Sequence, residues 1–144
     1  MKAYCDTSLL VSLYAPDANS ARAAALCRQK QVTLLITPLC ELELTNAMQL
    51  RVYRKELTAA QVSEALAGFQ KDLLAGVYSL HPVSLAVYEQ ARRLSVDYTA
   101  RVGARSLDIL HLAAAITARA EILYTFDAAQ KRLAEEVGFS TAPK

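Results

Sequence analysis

Residues 32–47 read VTLLITPLCELELTNA, and this stretch decides the fold. Val32 to Ile36 is a continuous apolar, β-rich run. A strand covered on both faces needs such a run, whereas a strand with one face in water alternates. Pro38 then suits the first turn of a helix, where its missing N–H is not needed. Leu39, Leu42, Glu43, Asn46, Ala47 and Leu50 follow at helical spacing, with Glu43 on the apolar side.

Outward from this unit the same alternation repeats. Lys2 to Cys5 reads as a short strand, followed by a helix capped near Asp6 or Thr7. Asp17 is expected to cap a helix running from Ala21 to Cys27. Thr58 with Gln61 forms a capping box for a helix through Leu66, Phe69 and Leu73 that stops near Gly76. Val77 to Leu80 is a strand ended by Pro82, and Ser84 to Leu94 is a helix. Ser106 opens SLDILHLAAAITA, a helix so nearly apolar throughout that it must be buried. Glu121 to Thr125 is a strand, Asp127 caps a helix through Leu133, and Gly138 with Phe139 leads into a brief last strand. Strands alternate with helices, without hairpin signals or repeats. That order indicates an α/β sandwich on a parallel sheet, whose sites form at the carboxyl ends of strands. Asp6 and Asp127 both stand at such ends.

Composition narrows the class. The 144 residues suit one domain spanning 1–144, and the 53% hydrophobic content with few Gly and Pro excludes a disordered chain. Three cysteines without C-x-x-C spacing argue against a disulfide framework or zinc knuckle and fit a reducing, cytoplasmic compartment. Cys5 and Cys40 lie in apolar runs and read as core residues. No apolar run has the length of roughly 20 residues needed to span a bilayer, so no membrane partner is expected. Net charge is +2, from 16 Lys and Arg against 14 Asp and Glu. Withdrawing four acids into one cleft would leave the remaining surface basic, which favours a polyanion; ordinary solvated charge explains the totals as well.

Four acids stand out by their apolar surroundings: Asp6 at a strand end, Glu43 between Leu42 and Leu44, Asp108 between Leu107 and Ile109, and Asp127 after Phe126. Each has a purely structural explanation. Asp6 and Asp127 suit helix N-caps, and Asp108 suits a first helical turn. Glu43 suits a pair with Arg51 or Arg54. Together, four carboxylates on one side of a sheet would repel one another unless protons or a cation neutralised them. A hard divalent ion, Mg²⁺ or Mn²⁺, takes such oxygen ligands and keeps waters and substrate phosphates as further ligands. The chemistry this points to is hydrolysis of a phosphodiester.

The segments YCDTSLL (4–10), TPLCELELTNA (37–47), RSLDILHLAAA (105–115) and LYTFDAAQKRLA (123–134), in this order and spacing, resemble the four signature segments of the PIN domain. They are most similar to those of the VapC toxins of prokaryotic toxin–antitoxin pairs. The likeness runs from Ala3 to about Phe139. It implies a three-layer sandwich with a roughly five-stranded parallel sheet between helices, and a metal-dependent endoribonuclease acting on single-stranded or looped RNA. It also implies a homodimer, and an antitoxin partner whose tail fills the active-site groove and through which alone DNA is bound. Position by position, the resemblance makes Asp6, Glu43, Asp108 and Asp127 the acids that hold Mg²⁺ or Mn²⁺. Thr7 or Ser8, and Thr125, become supporting hydroxyls.

Arg105 and Arg101 are expected along an RNA approach, as are Arg92 and Arg93, for which a solvated face serves equally well. Arg51, Arg54 and Lys55 equally suit helix C-terminal charges. His111, one turn beyond Asp108, reads as a satisfied core residue without a catalytic role. The Leu- and Ala-rich helices Leu39–Tyr53 and Ala59–Leu74 are the expected surfaces for a dimer or antitoxin. Two other readings are a stand-alone PIN-fold RNA-processing nuclease and a PIN-fold module that binds RNA or protein without cutting. A phosphohydrolase or response-regulator-like domain using Asp6 is disfavoured, since Asp6-Thr7-Ser8 is not a D-x-D motif.

Overall fold

A computed structural model describes residues 1–144. The elements follow in the order β1 (Lys2–Cys5), α1 (Thr7–Tyr14), α2 (Ser20–Cys27), β2 (Thr33–Ile36), α3 (Pro38–Tyr53), α4 (Ala59–Leu74) and β3 (Tyr78–Leu80). After these come α5 (Leu85–Leu94), a π-helical turn (Ser95–Thr99), α6 (Ala100–Val102), α7 (Ser106–Thr117), β4 (Ile122–Tyr124), α8 (Ala128–Val137) and β5 (Thr141–Ala142).

All five strands pair in parallel, in the order β3-β2-β1-β4-β5. Tyr4 in β1 stands between Leu35 of β2 and Leu123 of β4, so the central strand is the first one made. From β1 the chain steps outward to β2 and β3, then crosses back to β4 on the other side of β1. Right-handed crossovers place the helices made on the outward steps on one face and those made on the return on the other. Accordingly α1 packs on α2, α3 and α4, while α7 packs on α5 and α8. The direction reverses between β1 and β4, and the carboxyl ends of those two strands open a crevice where such sheets place ligands. Asp6 follows β1 and Thr125 to Asp127 follow β4; the Asp6 N–H donates to the Tyr124 carbonyl at 3.2 Å.

Doubly covered strands explain the apolar runs. Leu34 to Ile36, Ala3 to Cys5 and Leu123 to Tyr124 are all buried. The strongly apolar helix is buried without a break from Asp108 to Ala115, as its composition requires. Thr37 and Pro38 open α3, and the Thr58–Gln61 box closes with bonds of 2.9 and 3.1 Å. No helix is long and apolar enough to cross a membrane.

Two boundaries differ from the expectation. The helix read as ending at Leu94 continues through the π turn into α6, because Ser95 to Val102 contains neither Gly nor Pro. It ends at Gly103, whose φ of 69° suits a residue without a side chain. Asp17 does not cap α2. Its carboxylate accepts from the Asn19 N–H at 2.7 Å and from the Ser12 hydroxyl at 2.8 Å, forming a local turn, and the helix begins after Asn19.

Candidate metal centre

Each of the four acids is set by a different element. Asp6 ends β1 in an extended conformation and caps α1, with its Oδ1 accepting from the Leu9 N–H at 3.1 Å. Asp127 ends the β4 segment and caps α8 through the Gln130 N–H at 2.9 Å. Asp108 lies in the first turn of α7, and Glu43 on α3. The capping explanation is therefore correct for Asp6 and Asp127 as far as it goes. Capping uses only Oδ1 of each residue; Oδ2 meets Thr125 in Asp6 and faces Arg105 in Asp127.

These four side chains line one cavity of about 150 Å³, together with Thr7, Ser8, Arg105, Leu107, His111 and Gln130. Leu107 is its only hydrophobic lining residue. Hydroxyls brace the acids. Ser8 Oγ donates to Asp6 Oδ1 at 2.6 Å and accepts from the Phe126 N–H at 2.8 Å. Thr125 Oγ1 donates to Asp6 Oδ2 and accepts from the Asp127 N–H at 3.0 Å. Thr7 Oγ1 donates to Glu43 Oε1 at 3.1 Å.

The charges are balanced unevenly. Glu43 does not pair with Arg51, which instead meets Glu56 at 3.5 Å. Its partner is the His111 Nε2. Burial pushes the Glu43 carboxyl up, but the hydrogen bond and charge of His111 outweigh it and leave the group below its ordinary value. Burial likewise works against a charged imidazole. The Cys40 thiol and the Glu43 carboxylate reverse that and raise His111 to about 10. His111 is also tied at Nδ1 to the Tyr4 hydroxyl, 2.9 Å away, so it joins β1, α3 and α7. Asp108 is held by Arg105, with Nε at 3.0 Å from Oδ2 and Nη2 at 3.4 Å from Oδ1; the same Nη2 is 3.7 Å from Asp127 Oδ2.

Asp6 alone has no ion pair, although only 3% of it is exposed. Burial raises its carboxyl above the ordinary value, with Ser8, Thr125 and the Leu9 N–H pulling the other way. A buried carboxylate held only by neutral donors calls for a cation. The donor set is all hard oxygen, which fits Mg²⁺ or Mn²⁺. No three His, Cys, Asp or Glu side chains are drawn in to hold an ion as they stand. Arg105 instead takes the oxygens of Asp108 and approaches Asp127, and His111 pairs with Glu43.

Of the expected cationic residues, Arg105 is at the cavity, whereas Arg101 lies over the Tyr98 ring at 5.3 Å and does not line it. Two polar lining residues, His111 and Gln130, have no site role in the sequence reading. His111 carries the signal of one-turn spacing from Asp108. Gln130, buried, donates from Nε2 to the Asp108 carbonyl at 3.0 Å and locks α8 to α7; its spacing of one turn from Asp127 is the matching signal.

No curated protein sequence matches the chain. Among solved structures it is similar to VapC20 of Mycobacterium tuberculosis, described as a sarcin-ricin loop cleaving toxin. The TM-score is 0.69 and the identity 22%, covering 95% of both chains. VapBC2 of Rickettsia felis, bound to a DNA fragment from its promoter, gives a TM-score of 0.67 at 19% identity, over 98% of this chain and 97% of that one. FitAcB of Neisseria gonorrhoeae gives 0.67 at 16%, over 96% and 95%. These likenesses concern the fold. The PIN domain family pattern matches residues 3–136, a span that contains all four acids and, Lys2 of β1 apart, every strand but β5, and the chain belongs to the PIN domain family.

Proposed function

We propose that the protein is a divalent-metal-dependent endoribonuclease and the toxin of a VapBC-type toxin–antitoxin pair. The observation that carries this is the meeting of Asp6, Glu43, Asp108 and Asp127 in one polar cavity, with Asp6 buried and unpaired by any cation.

Asp6, Glu43, Asp108 and Asp127 are the residues that would hold Mg²⁺ or Mn²⁺. When bound, the ion would supply an acidified water and neutralise charge on the scissile phosphate and its leaving oxygen. The chain's own part is orientation. Ser8 and Thr125 fix both oxygens of Asp6, and Thr7 with His111 fixes Glu43. Such bracing keeps ligands in place before the ion arrives. Arg105 is the one cation beside Asp108 and Asp127, and its exposed side chain is free to turn to a substrate phosphate.

The toxin reading is supported by the likeness to VapC20, described as a toxin, and to VapBC2 and FitAcB. It also draws on exposed apolar side chains along α3 and α4, where Leu42, Leu50, Tyr53 and Leu74 face outward. Those two helices are the proposed surfaces for an antitoxin and a second copy, with DNA reached only through the antitoxin. Arg101 is proposed to contact RNA farther from the cavity.

Purified protein with Mg²⁺ or Mn²⁺ should cleave RNA and lose that activity with EDTA, with Asp6→Ala or with Asp108→Ala. Equal cleavage by wild type and Asp6→Ala would overturn the assignment. Metal binding without turnover on any RNA would favour a non-catalytic PIN-fold module.

A further inference from the structure

Beside the acidic cavity lies a second one of about 250 Å³, and the two share Asp127. Its lining includes Arg22 near the start of α2, Phe126 on the segment after β4, and Lys131 in α8. Neither Arg22 nor Lys131 has a carboxylate within ion-pair distance; Lys131 Nζ donates only to the Pro143 carbonyl at 3.3 Å. The Arg22 guanidinium stands over the Phe126 ring, 5.9 Å from its centroid, at the outer limit of a useful cation–π contact. Asp127 is the one acidic side chain in this lining; an aromatic ring flanked by cations that form no ion pair is the combination that holds a single-stranded nucleic acid, with bases stacked on the ring and cations on the backbone.

The position of this shelf is fixed relative to the acids. Ser8 Oγ joins the Asp6 carboxylate to the Phe126 N–H, and Thr125 Oγ1 joins the same carboxylate to the Asp127 N–H. A base stacked on Phe126 would therefore stand at a set distance from the reacting phosphate, one hydroxyl bridge away along the protein. The cavity is smaller than a drug-sized site, a size suited to one unit of a polymer that continues past it.

We infer that this shelf seats an RNA nucleotide flanking the scissile bond, with its base on Phe126 and its phosphate on Arg22 and Lys131. The inference rests on the nuclease reading above and adds the subsite that positions the strand. Binding, separated from cleavage, tests it. Fluorescence anisotropy of a labelled single-stranded RNA would be recorded across a salt series in an Asp6→Asn background. Arg22→Gln and Lys131→Gln should each weaken binding several-fold and flatten the log–log salt dependence by about 0.7, the share of one single-strand phosphate contact. Arg22→Lys should keep the slope. Phe126→Leu should weaken binding about fivefold or more with the slope unchanged, and Phe126→Tyr should retain it. Lys71→Gln, on the exposed side of α4, should leave the binding curve where it was. In the cleaving enzyme the shelf variants should raise KM more than they lower kcat.

If the Asp6→Asn protein binds RNA but none of the shelf variants moves the affinity or slope, the shelf is not a nucleotide site. If neither that background nor the wild type in EDTA binds RNA at any salt, and the wild type cleaves none with Mg²⁺ or Mn²⁺, the nuclease reading beneath it fails as well.

Discussion

Arg105 and Asp108 form a forked ion pair inside the acidic cavity, and the same guanidinium reaches Asp127 at 3.7 Å. One cation thus covers two of the four acids proposed to hold the metal. Its side chain is largely exposed, so water screens the pair and the cost of parting it is small. A divalent ion must displace this guanidinium to reach the Asp108 oxygens. Arg105→Gln should therefore bind Mn²⁺ a few-fold more tightly in calorimetric titration. It should also cleave RNA more slowly at saturating Mn²⁺, because the displaced guanidinium would no longer meet the substrate phosphate. Unchanged or weaker Mn²⁺ affinity would show that Arg105 does not compete for the acids.

Asp6 is the acid whose charge is worst tolerated without metal. It is buried, its donors are neutral, and burial raises its carboxyl above the ordinary value. Ionised Asp6 therefore lowers the stability of the metal-free fold at neutral pH. Asn keeps the cap and shape while removing the charge. In EDTA, Asp6→Asn should melt above wild type. With Mg²⁺ a hundredfold above its Kd, wild type should gain about 2.7 kcal/mol, roughly 5–10 °C for a domain of this length, and Asp6→Asn should gain little. A metal-free Asp6→Asn that melts below wild type would show that the buried charge is not the strained group.

The fold and the four acids were legible for the same reason. Doubly covered strands such as Leu34 to Ile36 leave no room for polar positions, so Asp6 stands out at the end of an apolar strand, and Asp108 and Glu43 stand out against Leu and Ile neighbours in their helices. Helix phase also carried far enough to place Glu43 inward. What sequence could not show was which group neutralises which acid. The His111–Glu43 pair joins residues 68 apart, and the Thr125–Asp6 bond residues 119 apart; such partners are set by the parallel pairing of β1 with β4 and by where the fold places α3 and α7, not by local pattern. The long helix past Leu94 was missed because a helix has no compositional stop until one is supplied, and here that stop is Gly103.

Thr125 offers a test of bracing apart from charge. Its hydroxyl is buried, donates to Asp6 Oδ2 and accepts from the Asp127 N–H, so one oxygen orders two of the acids. Valine has nearly the same shape but neither function. Loss of such an outer partner ordinarily weakens metal affinity about 10- to 100-fold. Thr125→Val should show that loss in a Mn²⁺ titration, while Thr125→Ser should recover most of it. Wild-type affinity in Thr125→Val would remove the hydroxyl from the metal centre.

Away from the centre, Tyr14 and Tyr78 share a hydrogen bond of 2.7 Å, and the Tyr14 hydroxyl donates to Asp72 at 2.6 Å. Burial is the main cause that raises both phenols above their ordinary value, with Asp72 adding to it. An unfolded tyrosine gives up its proton near pH 10. Between that point and the higher folded value, the folded chain keeps protons that the unfolded chain has lost. The stability these groups contribute is thus complete below about pH 10 and falls as pH rises further. For Tyr78, the more buried of the two, the slope is up to about 1.4 kcal/mol per pH unit. Urea unfolding from pH 8 to 11.5 should show wild type losing stability more steeply than a Tyr14→Phe/Tyr78→Phe protein once pH 10 is passed, even if the double variant starts lower. Parallel curves for the two proteins would mean that these phenols titrate alike whether folded or unfolded, and that the alkaline loss arises elsewhere.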